Sequence, residues 1–437
     1  MSSIVAISTP QGIGGISIIR LSGEDSLSIA SRAFEMATPT DVQPRRFYLG
    51  YVGAEERIDQ CLMVYFKAPF SYTGEDVVEF HCHGNMLIAR RVVELLVDLG
   101  ATMADRGEFT RRAFLNGKMN LASCEGIADM INADSDASLR AGYRLMRGEL
   151  STTVSEMQEI LTEVLSAIDG ALDYPEELYD DVYEDTPIRL ERVSDTLYRL
   201  ISTYREGRML REGVSVAIVG EPNTGKSSLL NRILKYDRAI VTDVAGTTRD
   251  TLTESVLYRD VKLNFTDTAG IREGEDIVEI QGIERSKEAA QGADLVVVLL
   301  DATKELGAEQ RRLIDEYANR LHVVAVNKTD LNRDFEIEDA MYISAKTGEG
   351  VDELLDKIVS LTVGRGDGEV VTHVRHLDAL KRAYASIRSA IDSYDLATID
   401  VTAIDIKDAW SALGEITGTT VSEEIVASIF SRFCVGK

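Results

Sequence analysis

The nine residues Gly220–Ser228, GEPNTGKSS, constrain this chain more than any other stretch. Gly220, Gly225, Lys226 and Ser227 fill the defining places of the phosphate-binding loop G-x-x-x-x-G-K-[ST]. Val214–Val219 (VSVAIV) before it reads as a buried strand, and Ser228–Leu234 after it reads as the start of a helix. Strand, loop and helix in that order are the context the motif needs. Its glycines let backbone N–H groups turn inward around a β-phosphate, and the helix N-terminus adds its positive dipole end. Lys226 reaches the β- and γ-oxygens, and the Ser227 hydroxyl can ligate Mg²⁺. The nucleotide-binding candidates here are Asn223, Thr224, Gly225, Lys226, Ser227 and Ser228.

Later motifs select the base. Asp267, Thr268, Ala269 and Gly270 follow the strand Lys262–Thr266; the carboxylate can hold Mg²⁺ through water, and the Gly270 N–H can meet a γ-phosphate. Asn327, Lys328, Thr329 and Asp330 follow the apolar strand Val323–Val326. Asp330 can accept both N–H donors of the guanine edge. Adenine would leave that carboxylate unpaired, which is costly. Ser344, Ala345 and Lys346 after Met341–Ile343 supply a backbone donor for guanine O6. In this order, each at a strand end, these motifs identify a guanine-nucleotide switch domain.

A chain of 437 residues has room for two or three domains. Its 44% apolar and 27% charged content is that of a globular protein. No apolar run approaches the ~20 residues of a membrane span, and no secretory leader opens the chain. The expected setting is cytoplasmic. Cys61, Cys82, Cys124 and Cys434 are scattered and make no disulfide framework. A net charge of −26 makes the chain a poor nucleic-acid binder on its own, so an RNA substrate would need a local basic patch or a basic partner.

The fold class expected is α/β plus all-α, in four segments. Residues 1–117 read as an N-terminal α/β domain: strands at Ile4–Ile7, Gly15–Leu21, Asp59–Phe66 and Asp76–His83, helices at Ser26–Ala33 and Ala89–Leu99. His81 and His83 would share one strand face and Cys82 the other, with no further ligand spaced for zinc, so polar packing is the reading there. Arg106, Arg111, Arg112 and Lys118 form a basic cluster that reads as a solvated face or an anion contact. Residues 118–213 turn helical. Leu150, Val154, Met157, Leu161, Val164 and Ile168 are spaced 4, 3, 4, 3, 4, an a/d seam. Pro175 and the acidic run after it should end that helix, and Thr186-Pro187 looks like the N-cap and first turn of the next. Residues 214–368 are the P-loop GTPase (Ras-like) domain, closed by the Gly-rich 364–368 linker. Residues 369–437 return to helices, with an apolar stripe at Leu380, Ala383, Ile387, Ile391 and Tyr394. The nucleotide domain is thus expected as an insertion in one discontinuous helical bundle.

Two departures from common small GTPases carry the mechanism. After Asp-Thr-Ala-Gly, a glutamine often orients the attacking water; here Ile271 stands in that place and cannot. The polar groups that follow are Arg272, Glu273, Glu275, Asp276 and Glu279. The second departure is Asp243–Asp250, DVAGTTRD. Thr248 is placed to close over Mg²⁺, and Gly246 and Thr247 point to backbone carbonyls folded over the nucleotide. With the Asn223 side chain, those oxygens could hold a monovalent cation where other enzymes place an arginine finger.

These residues resemble the tRNA modification GTPase MnmE (TrmE) family, of the TrmE-Era-EngA-YihA-Septin-like GTPases, along essentially the whole chain. The likeness covers GISIIRLSG, YTGEDVVEFHCHG, GEFTRRAFLNGKMNLASCEGIADMI, GEPNTGKSSLLN, DVAGTTRD, DTAGIRE and the closing FCVGK. The resemblance implies a homodimer formed through the N-terminal domain and GTP hydrolysis with K⁺ when two GTPase domains meet. It also implies an FAD-containing MnmG (GidA)-like partner, tRNA as substrate, and a (carboxymethyl)aminomethyl group added at C5 of the wobble uridine. A tetrahydrofolate derivative, 5-formyl or methylene, would carry the one-carbon unit. Glu279 is then the catalytic glutamate, with Arg249, Arg272 and Cys434 as further catalytic candidates. K⁺ maps to Asn223, Thr242, Val244 and Thr247, and Mg²⁺ to Ser227 and Thr248. Thr242, Asp243, Val244, Ala245, Gly246, Thr247 and Thr248 join the GTP-binding set. Folate maps to Arg20, Glu79, Lys118 and Lys437: a carboxylate for the pterin edge, cations for the glutamate tail. His81-Cys82 stands where the family commonly has Gln-Gly.

Other classes are a GTP-dependent ribosome-assembly factor and a scaffold that binds GTP without hydrolysing it. Assembly factors with similar loops typically carry a second GTPase domain or a KH-like domain, and this chain has one phosphate loop.

Overall fold

The computed structural model describes residues 2–235, 253–266, 290–332, 334, 336–362, 368–394 and 398–437, with residues 175–183 and 253 as backbone alone. The chain divides into two compact units, one of residues 1–128, 151–155 and 411–437, the other of 129–150 and 156–410. Among the described residues no helix is long and apolar enough to cross a membrane.

In the first unit, β-branched and aromatic residues at alternate positions build a seven-stranded sheet. Its strands are β1 (Ile4–Ile7), β2 (Ile16–Ser22), β3 (Phe34–Met36), β4 (Phe47–Gly53), β5 (Arg57–Phe66), β6 (Val77–His83) and β7 (Thr102–Met103), in the order β3-β4-β5-β6-β2-β1-β7. Only β1 and β7 run parallel. Helices α1 (Ser26–Ala33) and α2 (Met86–Asp98) bury one face against Ile19, Leu21, Met63, Val78 and Phe80. Asn85 caps α2, its side chain accepting from the Leu87 N–H at 2.8 Å. The period of two leaves Arg20, Glu79 and His81 on the opposite face. Helix α3 (Glu108–Leu115) and the start of α4 (Leu121–Asn132) follow. Leu121 and Cys124 are buried against Val426, Phe430 and Phe433, which come from the helix Glu423–Phe430 and the turn after it.

The second unit holds a six-stranded sheet of order β13-β12-β11-β8-β10-β9. Its strands are β8 (Val214–Val219), β9 (Thr253–Tyr258), β10 (Val261–Thr266), β11 (Leu295–Asp301), β12 (His322–Asn327) and β13 (Met341–Tyr342). All neighbours are parallel except β9 and β10. Every residue of β11, LVVVLLD, is buried, as a strand covered on both faces must be. Such a sheet presents its ligand loops at the carboxyl ends of the strands, and there the chain places GEPNTGKSS, NKTD and SAK.

The helices α5 (Asp136–Met146), α6 (Glu149–Asp173), α7 (Pro175–Ser202) and α8 (Tyr204–Glu212) follow α4. All six residues of the a/d seam on α6 are buried. One expectation fails. Thr186-Pro187 does not start a helix: α7 begins at Pro175 and runs through Pro187. A proline at a first helical position loses no bond, so Pro175 is the natural start. Pro187 does forgo a backbone bond there. The burial of Thr186, Leu190, Val193, Leu197 and Leu200 along α7 offsets that cost. The helix Val374–Ser393 packs on α7, burying Leu380, Ala383 and Ile387.

Candidate functional site

The nucleotide loops are built around close backbone approaches. At Gly220 a side chain would place Cβ 2.4 Å from the Leu299 carbonyl oxygen, and at Gly225, where φ is +95°, 2.3 Å from Asn327 Nδ2. Only glycine fits either place. Helix α9 (Lys226–Ile233) starts directly after Gly225 and aims its N-terminus at the loop's concavity, an anion site by construction. Lys226 Nζ donates to the carbonyls of Gly220 and Glu221, both at 2.9 Å. Burial pushes its ammonium below the usual lysine range, and a neighbouring anion would offset that cost. Ser227 lies on the first turn of α9, half-buried, where a hydroxyl can serve Mg²⁺; the loop and helix fit that ion with a bound phosphate.

Asn327 joins the loops. Its Nδ2 donates to the Thr224 carbonyl at 2.8 Å, and its Oδ1 accepts from the Ala345 N–H at 2.9 Å. One buried amide thus fixes the phosphate loop and the SAK loop on the same strand end. Ser344 Oγ donates to Asp330 Oδ1 at 2.7 Å and orients that carboxylate. Lys328 Nζ donates to the Asn223 carbonyl at 2.7 Å and to Asp301 Oδ2 at 2.6 Å. Asn223 and Lys328 are both left-handed, at φ +63° and +68°. Asparagine adopts this conformation readily, whereas for Lys328 it costs roughly 1–3 kcal/mol, which the bonds of its ammonium to the neighbouring loops offset.

Sequence reasoning passed over two side chains here. Asp301 ends β11, with its carboxylate buried under Lys328 and Thr303. Arg232 on α9 donates to the carbonyls of Ala345 at 3.3 Å and Lys346 at 2.6 Å. Neither belongs to a short motif. A lone Asp at a strand end was the only signal for the first.

Asn223, Thr224, Gly225, Lys226, Ser227, Ser228, Asn327, Lys328, Asp330, Ser344, Ala345 and Lys346 are therefore gathered at one end of one sheet. Thr242 to Arg249, Asp267 to Gly270, Arg272 and Glu279 lie outside the described residues, as does 364–367 of the Gly-rich linker.

A second cluster occupies the first unit. Arg20 on β2 and Glu79 on β6 are direct cross-strand partners, with Arg20 Nε donating to Glu79 Oε1 at 2.8 Å. The guanidinium lies 5.3 Å from the Tyr72 ring centroid and 5.7 Å from that of Phe109, an aromatic sleeve that fixes its plane. Glu79 Oε2 also meets His81 Nε2 at 3.3 Å. Burial, then the nearby Arg20 charge, push the Lys437 ammonium down. The tail is seated by main-chain bonds: Phe109 N–H to the Lys437 carbonyl at 3.2 Å, Gly107 N–H to Cys434 at 3.3 Å. Ser8 Oγ also donates to the Gly436 carbonyl at 3.1 Å. Gly436, at φ +96°, leaves no room for a Cβ, which would meet the Ile7 carbonyl oxygen at 2.2 Å. Arg20, Glu79 and Lys437 thus share one neighbourhood. Lys118 is exposed and donates to the Pro69 carbonyl at 3.0 Å. Two cations near one carboxylate leave an excess of positive charge suited to an acidic ligand.

The remaining candidates have other partners. Cys434 is exposed. Cys82 faces the core, where a hydrogen bond with Cys61 and then burial push its thiol far up. His83 Nδ1 pairs with Asp59 at 2.7 Å. Of the basic cluster, Arg112 is buried between Glu75 at 3.0 Å and Glu108 at 2.8 Å, so it is no solvated charge.

Comparison with known proteins covers the whole chain. Residues 3–118 match the family model described as the GTP-binding protein TrmE N-terminus, and residues 121–434 match the MnmE helical domain. The chain is 38% identical to the tRNA modification GTPase MnmE of Clostridioides difficile strain 630, over 100% of its own length and 99% of that protein. It is 40% identical to the protein of the same description from Alkaliphilus metalliredigens, with the same coverage. Among solved structures, a variant of Era from Aquifex aeolicus bound to GDP and AlF4⁻ is 26% identical, with a TM-score of 0.27, covering 40% of this chain and 66% of that one.

Proposed function

The chain belongs to the tRNA modification GTPase MnmE family, and from that premise we propose a K⁺-dependent GTPase that works with an FAD-containing, MnmG-like partner on the wobble uridine of tRNA. The hydrolysis breaks the bond between the γ-phosphorus and its bridging oxygen as water attacks, giving GDP and phosphate. In this reading the phosphate loop and Lys226 bind the β- and γ-phosphates, Ser227 and Thr248 hold Mg²⁺, and Asp330 with a backbone donor of the Ser344–Lys346 loop selects guanine. Asn223 ligates K⁺ with the carbonyls of the Thr242–Thr247 loop, supplying positive charge at the γ-phosphate. Glu279 positions the water, with Arg249 and Arg272 beside the reacting phosphate. Arg20, Glu79, Lys118 and Lys437 hold a tetrahydrofolate derivative that delivers the one-carbon unit, close to Cys434. The protein acts as a homodimer.

The observation that best supports this reading is the meeting of Asn223, Asn327 and Ala345 at one sheet end. It ties a cation candidate, the phosphate loop and the guanine loop into one piece. The test has two arms: GTP turnover in matched K⁺ and Na⁺ buffers, and mass analysis of wobble uridines in tRNA from a deletion strain. Turnover should rise in K⁺, and the C5 group should vanish from the tRNA. Equal rates in both salts would reject the cation role, and an unchanged tRNA pool would reject the modification.

A further inference from the structure

Asp301 belongs to none of the nucleotide motifs, yet its carboxylate accepts three hydrogen bonds beside them. Its side chain is 3% exposed. Oδ1 accepts from the Thr303 N–H at 2.9 Å and from Thr303 Oγ1 at 2.7 Å. Oδ2 accepts from Lys328 Nζ at 2.6 Å. The same Nζ donates to the Asn223 carbonyl at 2.7 Å. A buried carboxylate, an ammonium and a loop carbonyl therefore form one line of hydrogen bonds. It runs from the end of β11 to the residue whose side chain is the cation candidate. Of the residues joined by its last bond, Lys328 and Asn223, both have left-handed backbones, a conformation that asparagine adopts readily and lysine does not.

We propose that Asp301 is a positioning residue for the monovalent cation: by aiming Lys328 at the Asn223 carbonyl it fixes the backbone from which Asn223 presents its side-chain oxygen. This rests on the K⁺ reading given above. Lys328 has three N–H donors and a flexible stem. Without a buried anion on its far side, the ammonium would turn to solvent or to other acceptors, and the Asn223 carbonyl would lose its donor. The Asp301 carboxylate supplies that anion. Thr303 occupies its other oxygen, so the carboxylate cannot rotate away. Cation affinity should therefore depend on Asp301, although Asp301 is not among the residues assigned to the cation or the nucleotide.

The experiment measures GTP turnover against KCl at constant ionic strength in the full chain, for wild type, Asp301→Asn and Thr303→Val. Thermal unfolding is recorded for each variant. Asp301→Asn keeps an oxygen for Thr303 and removes the charge facing Lys328. The KCl needed for half-maximal rate should rise about ten-fold, the loss of one charge-assisted bond, while the rate at saturating KCl changes little. Thr303→Val should shift the curve the same way by less. A merely structural role would scale the rate alike at every KCl concentration. A K⁺-responsive wild type with variant curves of unshifted midpoint overturns this inference alone. A wild type indifferent to K⁺ overturns the cation reading and this inference with it.

Discussion

Arg20 and Glu79 face one another across β2 and β6, and the Arg20 Nε–H donates to Glu79 Oε1 at 2.8 Å. The pair is held from behind by Tyr72 and Phe109 and lies beside Lys437, which gives the carboxylate and the guanidinium fixed directions. If this cluster takes a reduced folate, calorimetry with 5-formyltetrahydrofolate should register binding to the full chain. Arg20→Ala and Glu79→Ala should each weaken it at least ~10-fold, since each removes a charged hydrogen-bond partner. Variants that bind as tightly as wild type would move the site elsewhere.

Ile271 stands where a glutamine would orient water, which transfers that task to Glu279 in the proposed mechanism. Glu279→Ala should bind GTP nearly as well as wild type and lose most of kcat, on the order of 10²-fold, because the interaction exists only in the transition state. Single-turnover hydrolysis beside nucleotide affinity separates the two quantities. Unchanged turnover rules out the role.

Cys434 is exposed, and its backbone carbonyl is pinned by the Gly107 N–H. Replacement by serine should preserve the tail's main-chain bonds. Cys434→Ser is therefore expected to hydrolyse GTP normally and to leave tRNA under-modified in cells. A fully modified pool, read by mass spectrometry of digested tRNA, would exclude a chemical role for the thiol.

Asp301 also makes a pH prediction. Burial alone would raise its pKa, but hydrogen bonds from Lys328 and Thr303 prevail and hold it below the usual carboxylate value. The folded carboxylate therefore binds a proton less readily than the unfolded one, whose pKa is about 3.9. Its stabilisation is complete above that pH and drains away as pH falls through the folded value. Between pH 6 and pH 3, values chosen to bracket that reference of about 3.9, the urea midpoint of wild type should fall further than that of Asp301→Asn. Parallel declines would show that Asp301 contributes nothing to acid sensitivity.

Much of this was readable from residue order because the relevant physics is local. The phosphate loop needs two glycines at places where a Cβ would strike Leu299 or Asn327, and those glycines mark it in any sequence. The a/d spacing from Leu150 to Ile168 gave a buried stripe because helix geometry alone dictates it. Strand β4, with Gly50 packed so closely that a Cβ would meet the Glu35 carbonyl oxygen at 2.3 Å, escaped notice: FYLGYVG carries two glycines, and its partners lie in other strands. Pro187 misled because a proline's cost is local while its compensation, the burial along α7, is spread over four turns. Arg112 has one partner in its own helix, Glu108, but its burial also depends on Glu75, 37 residues away. Asp301 carries no signature because its meaning comes from Lys328, 27 residues on.

Leu121 and Cys124 are covered by Val426, Phe430 and Phe433, residues synthesised some three hundred positions later. On the ribosome, then, the first unit cannot close when its own sheet emerges. The seven-stranded sheet can form early, but an apolar strip stays bare until the last helix leaves the exit tunnel. Meanwhile the six-stranded sheet, whose strands all fall between 214 and 342, can complete itself on the still-growing chain. Translation that stalls before residue 411 would thus release a product with a finished nucleotide fold and a sticky amino-terminal segment. Chaperones and proteases would meet that product first.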